Sequence, residues 1–220
     1  MEITVTPEVR ALCPEFCGAA LEARVANSEF SPALWQEIDA LAAELRTRFT
    51  TESLKQWPPI AATRSAYRLF GKDPSRYRPA AEALIRRLLT GRELYRIHTL
   101  ADLVNLASMA YGYSIGGFDA DKIRGTSLTL GIGREGEPYE GIGRGSLNID
   151  KLPVYRDQEG GIGTPTSDHD RTKLSLETTH LLVLINGYDG SREGVLQTAH
   201  YAQQLLRRHA ASDGGQITLY

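Results

Sequence analysis

The stretch Tyr111–Gly125, YGYSIGGFDADKIRG, marks the point where the chain changes character. Helical periodicity dominates before it and strand-like patterns dominate after it. The paired glycines Gly116 and Gly117 let backbone approach a neighbour where a side chain would block it. The segment therefore reads either as a tight connection between a helix and a strand or as the wall of a ligand pocket. Phe118 is expected to pack inward and Asp119 to cap the turn that follows.

Upstream, TLADLVNLASMAYG is a helix with Thr99 and Asp102 at capping-box spacing and Gly112 suited to its C-terminus. RPAAEALIRRLLTG is a second helix, expected to bury Ala80, Leu84 and Leu88 and to end at Gly91. SPALWQEIDALAAELRTRF is a third, with Ser31 as N-cap and Pro32 in the first turn. Its Trp35, Ile38, Leu41, Ala42, Leu45 and Phe49 recur at steps of three and four and give one apolar face. EITVTPEV, at the start, alternates like a strand. Downstream, Thr126–Gly133, EPYEGIG and KLPVYRD read as strands, and Lys173–Ile185 as a longer β-rich run. A last helix, Arg192 to about Arg208, carries a stripe of Val195, Leu196, Ala199, Ala202, Leu205 and Leu206, and SDGGQITLY closes the chain as a strand. Helices and strands do not alternate, so the fold class is α+β. The expected organisation is a single domain over residues 1–220. It comprises an N-terminal helical extension (1–60), a core (61–190) and a C-terminal helix and strand (191–220).

Composition narrows the function. With 41% hydrophobic and 24% charged residues the chain can bury an ordinary globular core. No run approaches the ~20 apolar residues of a bilayer span, and MEITVTPEVR has no apolar signal region, so a cytoplasmic protein with no membrane partner is expected. Cys13 and Cys17 alone make neither a zinc site nor a disulfide framework. Net charge is −2 but uneven. Arg64 to Arg96 holds nine cations against three acids, whereas Gly131 to Gly190 holds ten acids against six cations. A basic half could bind a polyanion on one side, or its arginines could simply solvate helix faces.

The chemical motifs are sparse. GIGREGEPYEGIGRG lacks the helix that a phosphate-binding glycine loop must open, so hairpin turns explain its glycines. No Gly-x-Ser-x-Gly elbow is present, and the five histidines show no metal-ligand spacing. No metal or cofactor is called for. SDHDRT, Ser167 to Thr172, collects two carboxylates, an imidazole and two hydroxyls, which could bind a cation, orient a water or form a solvated turn. Asp102 and Asn105, three apart, share one helix face and either fix the following loop or read a polar ligand.

Taken in order, RSAYRLFGKDPSRYRPAAEALIRRLLTG, DLVNLASMAYGYSIGGFDADKIRG, GEPYEGIGRG, LPVYRDQEG and SDHDRTKLSLETTHLLVLI resemble the B3/B4 tRNA-editing domain of the phenylalanyl-tRNA synthetase beta subunit. The freestanding form of that domain is the nearer match, over roughly Arg64 to Gly190. The resemblance implies a barrel-like mixed or antiparallel β core flanked by helices. It also implies hydrolysis of a wrongly esterified amino acid from tRNA. The ester is activated, so a positioned water, donors for the oxyanion and a side-chain pocket suffice without a strong nucleophile. On this reading Asn105, Gly116, Gly117, Asp119 and Glu137 hold the aminoacyl group. Asp168, His169 or Thr172 orients water, and Arg64, Arg68, Arg76 and Arg78 face the tRNA acceptor end. Asn105 and Asp119 match family positions. Gly116 stands where the synthetase domain has a histidine, and no acid matches its late-strand glutamate, Glu177 being seven residues away from the expected point.

Two alternatives stay open. The same pocket could bind an amino acid or a modified nucleoside without turnover, or the basic segment could make the protein an RNA-binding accessory with no pocket chemistry.

Overall fold

The structure is a computed structural model that describes all 220 residues. In chain order the elements are β1 (Glu2–Val5), α1 (Pro7–Leu12), β2 (Cys17–Arg24), α2 (Pro32–Arg48), α3 (Pro58–Leu69), α4 (Ala80–Leu89), α5 (Thr99–Tyr111), β3 (Ser114–Asp119), β4 (Ser127–Ile132), β5 (Glu140–Gly141), β6 (Gly145–Ser146), β7 (Pro153–Arg156), β8 (Gly161–Gly163), β9 (His180–Gly187), α6 (Arg192–His209) and β10 (Gln216–Leu219). The class is α+β, as expected. Two four-stranded sheets, in orders β10-β2-β9-β3 and β1-β4-β7-β8, lie beside a small β5-β6 hairpin, and they do not close into a barrel.

β9 explains the layering. Its residues HLLVLING are buried almost throughout, and period-two alternation sends them to two different cores. Leu181, Val183 and Ile185 join a 30-residue cluster with α2, α4, α5 and α6. Leu182 and Leu184 join a second cluster with Leu128, Leu130, Tyr155 and Ile162 of the other sheet. The β10-β2-β9-β3 sheet is thus a middle layer, with helices on one face and the second sheet on the other. α5 lies deep in the helical layer, buried around most of its circumference.

The first 60 residues contribute a strand to each of the two large sheets. β2 pairs antiparallel with β9 over eight residues in the centre of the sheet, and β1 pairs parallel with β4. Ser31 caps α2 by accepting from the Leu34 amide at 3.3 Å, as its position suggested. Two expectations shift. In α4 the buried stripe is Ala81, Ile85 and Leu88, with Ala80 and Leu84 only half-buried. The N-cap of α5 is His98, whose Nδ1 accepts from the Ala101 amide at 3.2 Å. Asp102, freed from capping, accepts instead from Trp35 Nε1 at 2.8 Å and from the Ile97 amide at 3.1 Å. The β-rich run is also shorter than expected, because β9 begins at His180 rather than Lys173.

Candidate functional site

β3 is the open edge of its sheet, and a cavity lies between that edge and α5. Alternation along β3 splits the glycine pair. Gly117 shares a face with Ile115 and looks toward α5, where a Cβ would stand 3.2 Å from Val104 and 3.1 Å from Leu174. Gly116 shares the opposite face with Phe118. A Cβ there would meet the Phe118 ring at 2.6 Å and Asp168 Oδ1 at 2.9 Å. Only Gly117 lines the open cavity, so the expected contact surface of two bare glycines is one glycine. Gly116 instead makes room for Phe118 and Asp168.

The cavity, about 310 Å³, is walled by Ile97, Ala101, Val104, Ile115, Ile142 and Leu174, with His98, Asn105, Asp168 and Lys173 as its polar groups. It adjoins a second hollow of about 280 Å³, lined in part by Leu84, Arg87, Met109 and Arg144, and the two share Ile97, Asn105 and Ile142. Asn105 therefore stands where both spaces meet. Asp102, one turn earlier, lines only the second hollow and is committed to Trp35 and to the loop before α5, so of the two polar residues on that face Asn105 alone borders both spaces.

Asp168 is carried by a tightly bonded turn. The Ser167 carbonyl accepts from Tyr139 Oη at 2.7 Å and from Thr164 Oγ1 at 3.0 Å, and the His169 amide bonds the Ile162 carbonyl at 2.8 Å. This holds the carboxyl at the β3 edge, where Oδ2 accepts from the Gly117 amide at 3.1 Å. Burial pushes the Asp168 carboxyl up to about 7, and the Gly117 hydrogen bond only partly opposes this. The unfolded chain ionises near the ordinary value of 3.8, so the folded state holds the extra proton between the two values. Folding stability contributed by this group is then present below pH ~4 and lost as pH rises toward 7. Asp168→Asn is expected to raise the melting temperature at pH 7.5 and to leave it nearly unchanged at pH 4, as read by calorimetry at both values. Equal shifts at the two pH values would refute the assignment.

The other expected site residues do not gather there. His169 packs edge-to-face with Tyr139, ring centroids 4.8 Å apart, and accepts from the Arg171 amide through Nδ1, and burial followed by the Arg171 charge lowers its basicity. Thr172 is fully buried with its hydroxyl unpartnered, outside the cavity lining. Asp119 caps the turn, as expected, by accepting from the Asp121 amide; it also accepts from Thr178 and pairs with Lys122 at 3.0 Å. Glu137 is held by a two-bond pair with Arg156 at 2.6 Å, which overcomes the upward push of burial and keeps its carboxyl below the usual range.

The basic face also differs from expectation. Arg64 is buried and bonds Glu82 Oε2 at 2.8 Å, and Arg78 lies 3.6 Å from Glu82 Oε1. Arg68 and Arg76 are exposed but do not line either hollow. The cations that do are Arg87, Arg144 and Lys173. Tyr95, exposed beside them, has the Arg87 guanidinium 3.9 Å from its ring centroid.

A family model described as the B3/4 domain matches residues 62–210. The chain belongs to the B3/4 domain family. Asn105, Gly117 and Asp168 all lie within the matched segment of this B3/4 domain, and α2 lies outside it. A solved structure, an N-terminal fragment of the phenylalanyl-tRNA synthetase beta subunit from Pyrococcus horikoshii, is similar at 14% identity and a TM-score of 0.48. The alignment covers 98% of this chain and 50% of that one, so the B3/4 domain described here spans about half the length of that fragment. No curated protein matches the chain. No helix is long and apolar enough to cross a membrane.

Proposed function

We propose that this B3/4 domain takes the aminoacylated 3′ end of a tRNA into the cavity between α5 and β3 and hydrolyses the ester in trans, in the cytoplasm. The observation that carries this reading is a convergence. Asn105, the Gly117 backbone and Asp168 meet in a small apolar cavity whose surroundings supply Arg87, Arg144 and Lys173. Apolar walls suit an amino-acid side chain, the Asn105 amide can donate to an ester carbonyl, and the cations suit phosphates. In the reaction a water oxygen bonds to the carbonyl carbon and the bond to the ribose oxygen breaks. The water's proton ends on that ribose oxygen. Of the three groups expected to orient water, Asp168 alone faces this space.

The test is incubation with a panel of misacylated tRNAs, including tyrosyl, D-aminoacyl and β-aminoacyl forms. Release above buffer for at least one is expected. Arg144→Ala should weaken tRNA binding severalfold and reduce the slope of log affinity against log salt by about 1. Binding without release for any ester would favour the non-catalytic module. Binding that ignores the aminoacyl group and is unchanged in Arg144→Ala would favour an RNA accessory acting elsewhere on the surface.

A further inference from the structure

We propose that Asp168 is the counter-ion for an organic ammonium group borne on an apolar body, the class that includes the α-ammonium of an amino acid and of its esters. Three other buried or half-buried carboxylates in this protein have cations, and a fourth, Asp102, has none but accepts two hydrogen bonds, from Trp35 Nε1 and the Ile97 amide. Asp157 is bonded by Arg171 at 2.9 Å, Glu137 by Arg156 at 2.6 Å and Asp119 by Lys122 at 3.0 Å. Asp168 has the Gly117 amide as its one protein donor and belongs to no such pair. Lys173, the cation lining the same cavity, is bonded at 2.9 Å to Asp170. A carboxylate taken out of water is costly unless a positive charge compensates it, and otherwise it takes up a proton. The Asp168 turn is rigidly bonded, with Oδ1 on the Gly116 face and Oδ2 beside the Gly117 amide at the cavity edge, so a cationic ligand in the cavity can supply the missing charge at Oδ2.

The walls say what kind of cation. Val104, Ile115, Leu174, Ile97 and Ile142 offer no further oxygens, whereas a hard metal ion needs about six. No group of three or more His, Cys, Asp or Glu side chains is placed to hold a metal. An ammonium needs one carboxylate, and its hydrocarbon portion fills the apolar remainder. The titratable groups facing Asp168 are few. His98, on the α5 side, has its basicity lowered chiefly by burial and so stays neutral at neutral pH. Tyr139 is shifted far upward by burial and stays neutral too. Lys173 remains with Asp170.

The inference shares the cavity of the proposed deacylase but rests on its lining rather than on hydrolysis. The two can therefore fail separately. The probes are phenethylamine, its neutral isostere phenethyl alcohol, and 3-phenylpropionate, titrated into the intact protein while the Gly117 amide signal is followed by NMR. At pH 8 the amine should bind at least tenfold more tightly than the alcohol, and the acid should not bind. Lowering the pH to 6 should weaken amine binding about tenfold, following protonation of a carboxyl near 7. Asp168→Asn should remove the preference for the amine. Ala101→Leu, which fills the cavity from the first turn of α5, should block all three probes and guards against a folding artefact in the first variant. Equal binding of amine and alcohol, an amine affinity unchanged in Asp168→Asn, or no binding by any probe would overturn the proposal. A comparison of phenylalaninamide with its N-acetyl derivative then asks whether an aminoacyl group is read the same way. Amine preference without deacylation of any tRNA would leave this inference standing and end the deacylase reading alone.

Discussion

Glu82→Ala is expected to destabilise the protein by about 3–5 kcal/mol, the range for leaving a buried charge without its partner. Glu82 sits on α4 with its side chain 1% exposed and accepts two bonds from Arg64 Nη1, at 3.1 and 2.8 Å. Arg64, on α3, has a side chain 8% exposed. Its remaining partners, the Pro74 carbonyl at 3.4 Å and Ser75 Oγ at 3.2 Å, are neutral and long. Truncating Glu82 strands a guanidinium that can neither reach water nor lose its proton. A double variant, Arg64→Met with Glu82→Leu, should recover most of the loss, since replacing both ions by apolar groups removes the desolvation penalty on each. Urea denaturation of the two single variants and the double variant measures the coupling. If Glu82→Ala lowers stability by less than about 1 kcal/mol, the pair is more hydrated than its burial implies.

That ion pair shows why charge counting overstated the exposed basic surface. Arg64 belongs to a run rich in cations, and sequence alone does not distinguish a guanidinium turned inward toward a carboxylate eighteen residues away from one turned outward. Glu82 carried the signal in part, as one of three acids in that run and on the α4 face that turns inward. Arg144 escaped notice for the opposite reason. It sits in a glycine-rich hairpin that places it beside the cavity, a location set by long-range pairing of Gly141 with His169. Helices were legible because amphipathic periodicity is local, and α2 and α6 match most of their stripes, with Leu41, Phe49 and Leu196 falling to half-burial. β2 was not legible. CGAALEAR is rich in alanine, a weak strand former, and becomes a central strand because β9 and β10 flank it. α3 was missed although PPIAATRSAYRL opens on two prolines, which suit a first helical turn.

The site was legible in the same uneven way. Asn105 could be placed from the spacing of its helix. Asp168 could be singled out only as part of an acidic, hydroxyl-rich turn, and nothing local separated it from His169, whose side chain leaves the turn in the opposite direction as strand-like alternation requires. The hydrophobic half of the pocket, Ile97, Ile142 and Leu174, comes from three loops that have no periodicity. Their common location is a property of the packed chain rather than of any segment.

Gly116→His, which would install the histidine that the resemblance associates with this position, is expected to destabilise the protein by about 3 kcal/mol and to confer no hydrolytic gain. The reason lies in what occupies the space. A Cβ at residue 116 would stand 2.6 Å from the Phe118 ring and 2.9 Å from Asp168 Oδ1, before any imidazole is added. A Cβ at Gly163 would clash with the same ring, so Phe118 is clasped between two glycines. Phe118 is 1% exposed, and moving it would disturb the core it shares with Leu182 and Leu184. Overpacking of this kind typically costs ~1–3 kcal/mol, and the upper end applies because a polar ring would also enter an apolar core. Phe118→Ala alone should cost about 3–5 kcal/mol through the cavity it leaves. The two changes should be strongly non-additive, because the histidine enters the volume that the phenylalanine vacates. A double-mutant cycle in urea, run beside the deacylation assay, checks both points. Simple additivity would mean that the histidine finds another path out of β3. A gain in hydrolysis by Gly116→His would mean that Phe118 yields more readily than its packing implies, so that glycine here is a substitution the site can reverse rather than a consequence of how Phe118 and Asp168 are seated.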